Sequence, residues 1–476
     1  MSAQRVVIGV DSSTQSTKAF AVDLETGAVL GEGRAAHAVS TGPGRESDPE
    51  QWWRALGEAM AATGWADRAA ACSIAGQQHG LVTLDPAGRP LRPALLWNDV
   101  RSAPQATALA AAFGPAELAR RTGSVPTAAF TSAKWAWLRA HEPATADRVA
   151  AVRLPHDFLT ERLTGEAVTD RGDASGTGWW GPDGYDQEVL ARIALPSALL
   201  PEVLPPGARA GRARAGTPLR EGTPVATGTG DNMAAALGLG LTPGRPVLSL
   251  GTSGTVYTVG RTRPTGTDRA VAGFADALGG WLPLACTLNC TLAVDRFAAL
   301  LGRDREDVED GGTEVVLPYL DGERTPDLPD ASGLVHGLRH DTTPGRLLQA
   351  AYDGAAHALL TALDAVLRAG GESHPADEPL LLIGGGARGT AWQRTVLRLS
   401  GRAVQVPEAR ELVALGAAAQ AAALLTGEPA DAVARRWRTA EGRLLDPVPR
   451  DDDALERITS TLRRARALQQ VPPDGR

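Results

Sequence analysis

Lysine is almost missing from this 476-residue chain: only Lys18 and Lys134 occur, and every other basic residue is arginine. With so much Ala and Gly, the bias reads as the codon usage of a GC-rich genome. The two surviving ammonium groups therefore draw notice by position, not number. Cysteine is scarce as well. Three residues, an odd count, exclude a disulfide-stapled scaffold and fit a reducing compartment. A basic excess is also lacking: 48 Lys+Arg face 55 Asp+Glu, a net charge of -7. That argues against nucleic acid and anionic membrane surfaces as partners, since binding either means neutralising phosphates. Long apolar runs are absent too. Residues 6–10 are too few for the apolar core of a signal peptide. Residues 412–427 fall short of the roughly 18–20 apolar residues that a membrane span requires. A cytoplasmic location without membrane association is expected.

What is present is globular. Hydrophobic residues make up 43% and charged residues 22%, and the length suffices to bury a large core without staples. At about 150 residues per domain, two or three domains are expected. RVVIGVD reads as a strand ending at Asp11, SSTQST as a turn of small hydroxyl residues, and KAFAVDL as a return strand. A helix should start at Asp48, with Pro49 in its first position and Gln51 closing a capping box. Trp52, Trp53, Leu56 and Met60 then fall at core spacing. TPVATGTGDNMAAALGLG reads as strand, glycine turn and Ala-rich helix opening at Asp231. PVLSLGTSGTVYTVG, halfway along, copies the opening strand-turn-strand unit and suggests two similar domains meeting near Thr242. LLLIGGGARGTAWQRTVLRLSG is strand, glycine turn and helix; the Asp451 tail is charged, and the final VPPDGR is expected to be disordered.

The chemistry concentrates in turns. Small-residue turns present successive backbone N–H groups and hydroxyls, a concavity for phosphate oxygens. One such turn is ordinary hairpin filling. Two in corresponding places of a repeated unit, with a later GGG turn, suit a polyphosphate held between domains. The GGGARG stretch at 384–389 also satisfies GxGxxG, with Glu408 about where a ribose-binding carboxylate would lie. A nicotinamide enzyme is therefore the rival reading. Against it, no second βαβ half follows. Asp11 and Asp231 read either as turn and cap residues or as a Mg²⁺ ligand and a general base. At a helix N-terminus, Asp231 should have a depressed pKa. Gln78 and His79 in GQQHG, and Trp97 in LLWND, follow strands and offer donors, acceptors and an aromatic face to a polyol or sugar. Cys286 and Cys290 have no nearby further ligand, so zinc is not expected.

Taken in order, VIGVDSSTQSTK, DPEQWW, IAGQQHG, LRPALLWND, FTSAKWAWLRAHEP, LPHDFLTERLTGE, GTGDN, LSLGTSGTVY, LPYLDGERTPD, GLVHGL and LIGGGARG span the chain to about residue 440. Together they resemble the FGGY family of carbohydrate kinases, and within it the branch acting on D-xylulose. The resemblance implies an α/β fold of two ribonuclease-H-like, actin-like ATPase domains with mixed sheets flanked by helices and a ligand cleft between them. Residues 1–242 would bind sugar, and residues 243–476 would bind ATP and end in a polar tail. It implies ATP-dependent phosphorylation of the 5-hydroxyl of D-xylulose, feeding xylose catabolism into the pentose phosphate pathway. Asp231 would be the general base and, with Asp11, would hold Mg²⁺. Gln78, His79, Trp97, Asp231 and Asn232 would meet the sugar. Thr14, Gln15, Lys18, Gly251, Thr252, Ser253, Gly385, Gly386 and Ala387 would meet ATP. A homodimer is compatible with the resemblance. Three positions depart from the family pattern: Gln78 stands where many relatives have Met, SSTQ where many have a Gly-Thr pair, and Ala129, ahead of Lys134, departs from the usual signature. A non-catalytic sugar or nucleotide sensor on the same fold is the remaining alternative, disfavoured because both carboxylates and both turns are retained.

Overall fold

The computed structural model describes residues 5–40, 44–264, 270–371 and 378–469; the VPPDGR end lies outside the described residues. Strand β1 (Val6–Ser12) is buried along its whole length, as a nearly apolar run must be when both faces of a sheet are covered. It pairs antiparallel with β2 (Ser16–Asp23), which pairs antiparallel with β3 (Val29–Ala36). Helix α1 (Pro49–Ala62) follows. Asp48 caps it, accepting from Glu50 N at 3.0 Å. The capping box does not close: Gln51 Oε1 accepts from Ala38 N instead, at 2.9 Å, because the connection from β3 passes the first helical turn and offers that amide. Strand β4 (Ala71–Gly76) lies parallel to β1. A long excursion holds α2 (Thr131–His141), α3 (Pro155–Thr164) and the single-turn α4 (Arg171–Ser175). The chain returns in β5 (Pro224–Ala226), parallel to β4, and α5 (Asp231–Gly238).

The unit then recurs. Strand β6 (Val247–Leu250) pairs antiparallel with β7 (Gly254–Tyr257), and β7 antiparallel with β8 (Trp281–Thr287). Helix α6 (Pro344–Gly370) crosses to β9 (Leu380–Ile383), parallel to β6. Helix α7 (Thr390–Ser400) leads to β10 (Val404–Pro407), parallel to β9, and α8 (Leu412–Thr426) follows. The neighbour order is β3-β2-β1-β4-β5 in one sheet and β8-β7-β6-β9-β10 in the other. An antiparallel strand beside the central one is foreign to a doubly wound dinucleotide fold, so the nicotinamide reading of residues 384–389 falls.

Side chains alternate across β1. Ile8 and Val10 join Trp52, Leu56 and Met60 of α1. Val7 joins Met233 of α5 and Leu412, Leu415 and Ala418 of α8. Residues 7, 9 and 11 share a face, so Gly9 and Asp11 also look toward α8. A Cβ at Gly9 would lie 2.0 Å from Ala414 O; glycine there is what lets α8 rest on the sheet. Strand β6 repeats the arrangement. Val247 belongs to the α5–α8 cluster, while Leu248 and Leu250 pack with Tyr352 and Leu359 of α6. One apolar core thus runs between the sheets.

A buried polar pin holds α8 in place. Ser73 Oγ donates to Gln420 Oε1 at 2.7 Å, and Gln420 Nε2 donates to Gly228 O at 3.1 Å. Gln420→Leu would leave the Ser73 hydroxyl and the Gly228 carbonyl buried and unpaired. A loss of about 2 kcal/mol in urea unfolding, with the denaturant slope unchanged, is the expected result. Among the described residues no single helix is long and apolar enough to cross a membrane; α8, the most apolar, packs in this interior.

Candidate active site

Residues Thr229 and Gly230 run parallel to Ala75 and Gly76 at the end of β4. Gln78 and Asp231 are therefore carried at adjacent carboxyl ends of parallel strands, where open α/β sheets bind ligands. Asn232 ties them together: its Nδ2 donates to Gln78 Oε1 and to Asp231 Oδ1, both at 3.0 Å. Its backbone N–H also donates to Asp231 Oδ1, at 2.8 Å. Asp231 is the first residue of α5, not its cap. The expectation of a depressed pKa fails. Burial pushes the carboxyl up to about 7, and the charges of Asp11 and Asp173 push the same way. The opposing backbone hydrogen bonds are local and too weak to offset a desolvated site with two further acids.

Asp11 is 5% exposed, and its Oδ1 is buried without a hydrogen-bond partner. Burial raises it to about 6 against the pull of Lys18. Lys18 sits opposite Asp11 in the β1–β2 ladder. Its Nζ lies 2.6 Å from Glu411 Oε2 and 3.8 Å from Asp11 Oδ2. Glu411 immediately precedes α8, so this ammonium is shared by carboxylates from the two halves. The other lysine, Lys134 in α2, is wholly buried. It donates to Ala128 O at 2.9 Å and also to Ala129 O, bracing the turn that carries Phe130. Burial brings its pKa down to about 7.

His79 has φ +66°, a turn conformation that aims its ring inward. Its Nδ1 is 2.6 Å from Gly176 O, which makes Nδ1 the protonated nitrogen and leaves Nε2 as an acceptor. Burial, with help from Lys134 and Arg324, lowers its pKa to about 3 and keeps the ring neutral. The ring centroid is 4.9 Å from Phe130 and 5.6 Å from Phe274. Phe274 belongs to the Val271–Ala275 strand at the far edge of the second sheet, so both halves wall the site. Trp97 Nε1 donates to Thr14 Oγ1 at 3.0 Å, joining this indole to the first turn, while Gln15 is exposed.

In the second half, residues Gly251, Thr252 and Ser253 link β6 to β7. Thr291 N and Oγ1 both donate to Gly251 O, at 3.1 and 2.7 Å. Gly384, at φ +87°, and Gly386 press on Leu250, where added Cβ atoms would come within 2.7 and 2.9 Å. The two glycine turns are thereby adjoined. Gly385, Gly386 and Ala387 lie in a 3₁₀ turn, with Ala387 O accepting from Gln393 Nε2 at 2.7 Å. A pocket of about 600 Å³ opens beyond it between Arg305, Glu306, Arg388 and Arg394. Among the described residues there is no group of three or more His, Cys, Asp or Glu placed to hold a metal ion.

Several neighbours of the site escaped sequence reasoning. Glu411 and Phe274 reach it only by long-range packing. Asp170 and Asp173 had a signal, two acids three residues apart among small residues before SGTG.

The repeated 3-2-1-4-5 sheet with acids at the strand ends defines a class, and the chain belongs to the FGGY family of carbohydrate kinases. The family's N-terminal domain matches residues 6–238 and its C-terminal domain residues 247–425. The fold is accordingly two mixed α/β sheets flanked by helices, of the actin-like ATPase type. The chain is 67% identical to the xylulose kinase of Streptomyces coelicolor and 64% identical to that of Streptomyces rubiginosus, in each case over 97% of both chains. The crystal structure of xylulose kinase from Bifidobacterium adolescentis is similar at 34% identity, with a TM-score of 0.84, covering 97% of this chain and 100% of that one.

Proposed function

We propose that the chain is an ATP-dependent xylulose kinase that phosphorylates the 5-hydroxyl of D-xylulose. The observation that carries this reading is Asp231: a carboxylate whose pKa is raised to about 7, held by Asn232, whose amide is itself fixed on Gln78, and close to the charge of Asp11. The sugar hydroxyl loses its proton to Asp231 as its oxygen bonds to the γ-phosphorus, and the bond from that phosphorus to the β,γ-bridging oxygen breaks to release ADP. Gln78 and the neutral His79 orient the sugar, with Trp97 beside them. Thr14 in the first turn, and Gly251, Thr252, Ser253, Gly385, Gly386 and Ala387 in the second half, supply small residues and backbone N–H groups to the nucleotide. This reconciles a net charge of -7 with a polyanionic substrate, because the cradle is local. Residues 1–242 act as the sugar half and 243–476 as the nucleotide half. A cytoplasmic setting, where ATP is abundant, suits the reading.

The residues fit a magnesium ion. Asp11 offers a buried, unpartnered Oδ1, Asp231 is close enough to feel its charge, and Mg²⁺ is commonly held by one or two carboxylates plus substrate phosphates. Bound there, it would neutralise charge on the transferring phosphoryl group. Asp11→Asn is expected to raise the Mg²⁺ concentration needed for half-maximal rate about tenfold; an unchanged titration would remove Asp11 from that role. The function itself is tested by coupled ADP release across ketopentoses and polyols. The reading expects the highest kcat/KM with D-xylulose, and no ADP with any sugar at millimolar concentration would overturn it.

A further inference from the structure

Beneath the sugar-facing residues lies a buried group of four ionisable side chains that the reaction above does not use. His156, in the first turn of α3, is fully buried, as are Asp157 and Asp173; Asp170 is 5% exposed. His156 Nδ1 is 2.8 Å from Asp173 Oδ2. Its Nε2 is 3.3 Å from Asp157 Oδ1 and 3.7 Å from Asp170 Oδ1. Both ring nitrogens thus face carboxylates: Nδ1 is hydrogen-bonded to Asp173, and Nε2 meets Asp157 and Asp170 at ion-pair distance without a hydrogen bond. Burial favours the neutral ring, but Asp157, Asp173 and Asp170 outweigh it and bring the pKa to about 9.

Two of the carboxylates have a second engagement. Asp157 Oδ2 accepts from Leu154 N at 2.9 Å, fixing the start of α3. Asp170 caps α4 through Gly172 N and Asp173 N, at 2.8 and 3.0 Å. It also accepts from Thr229 Oγ1 at 2.7 Å, two residues before Asp231. Asp173 Oδ1 and Gln78 Nε2 are both buried without a hydrogen-bond partner. Just past α4, Gly176 O receives the His79 Nδ1 proton, and Ser175 Oγ accepts from Ala275 N at 2.9 Å in the second half. Residues 170–176 therefore reach the strand end before Asp231, the His79 ring and the second half. There is no slack beneath them. A Cβ at Gly76 would lie 3.0 Å from His156 Cβ, and one at Gly228 2.8 Å from its Cδ2.

We propose that His156 and Asp173 are positioning residues of the sugar site, acting as one unit. His156 holds Asp173 and with it α4, which sets Gly176 O against His79 Nδ1 and, through Asp170, ties down Thr229 two residues before Asp231. The Gln78 amide above them has one orientation, set by Asn232 at its carbonyl, and a ketose hydroxyl meets it preset.

The kinetic part of the test rests on the xylulose kinase reading. His156→Asn, Asp173→Asn and the double variant are compared with the wild type in ADP release. Each single variant is expected to raise KM for D-xylulose about tenfold or more, the scale of a buried hydrogen bond to a charged group. KM for ATP should stay within about twofold, and the double variant should be no worse than the poorer single. Multiplying losses, or equal rises in both KM values, would overturn the proposal. A second measurement needs neither activity nor a variant that folds. Nitrogen-15 imidazole spectra of the wild type at neutral pH should contain one histidine with two slowly exchanging ring N–H protons. Only single N–H histidines would overturn the proposal. Absence of turnover with any sugar, together with the two-proton histidine, would sink the kinase reading and leave the positioning unit standing.

Discussion

Asp231→Asn is expected to lower kcat about 10³-fold while changing KM for the sugar only a few-fold. The substitution keeps volume and the hydrogen bonds from Asn232 but removes the base, and positioned general bases contribute roughly 10²–10⁴. The environment adds a pH signature. A carboxylate of ordinary pKa would be ionised throughout the useful range and leave the profile flat. Burial beside Asp11 and Asp173 raises Asp231 to about 7, and the base form is the active one. For the wild type, kcat/KM for the sugar should therefore rise about tenfold per pH unit up to roughly pH 7 and level off above it. In the Asn variant the residual rate should lose that limb. A variant with wild-type turnover, or a wild-type profile flat down to about pH 5, would take Asp231 out of the base role.

Gly416→Val is expected to be the most destabilising single substitution in the α5–α8 crossing. A Cβ at Gly416 would lie 1.8 Å from Ala234 O and 2.8 Å from Gly238 N, and one at Gly238 would lie 2.0 Å from Leu412 O. These are backbone atoms, so no rotamer change relieves the clash and one helix must move. A cost of about 3 kcal/mol or more follows, readable as a fall of roughly 6–12 °C in the calorimetric transition. Because α5 opens at Asp231, activity should fall further than stability alone explains. Gly427→Ala is the control. Gly427 has φ +76° with open space around it, so it should cost about 1–2 kcal/mol through backbone strain and leave kcat untouched. If Gly416→Val melted within a degree or two of the wild type, the close crossing would be wrong.

Much of this was legible in the chain itself. Strand-turn-strand periodicity, repeated at residues 6–23 and 247–257, marked both sheet nuclei, because alternation and small-residue turns are local signals. Asp48 and Pro49 marked α1 for the same reason. Gln51 did not behave as its spacing suggested, since a competing amide at Ala38 came from outside the local window. Asp231 was expected to be the base with a depressed pKa, and the direction of that shift was wrong. The helix terminus is visible in sequence, whereas the dominant influences, burial and the charge of Asp11, arise from residues far apart in the chain.

The two lysines divide along the same line. Their scarcity and their motif positions were written in the sequence. Their partners were not. Lys18 finds Glu411 393 positions away, and Lys134 turns inward to two carbonyls instead of outward to a ligand. His156 and Asp173 likewise read as motif letters until packing set them under Gln78. The sequence alone determined the family, the repeated sheet and the acids at the strand ends, because these rest on local periodicity and on residue types in order. The tertiary structure decided which charges are buried, who neutralises them and how Gln78 is oriented. Those depend on desolvation and on contacts between segments that only folding brings together.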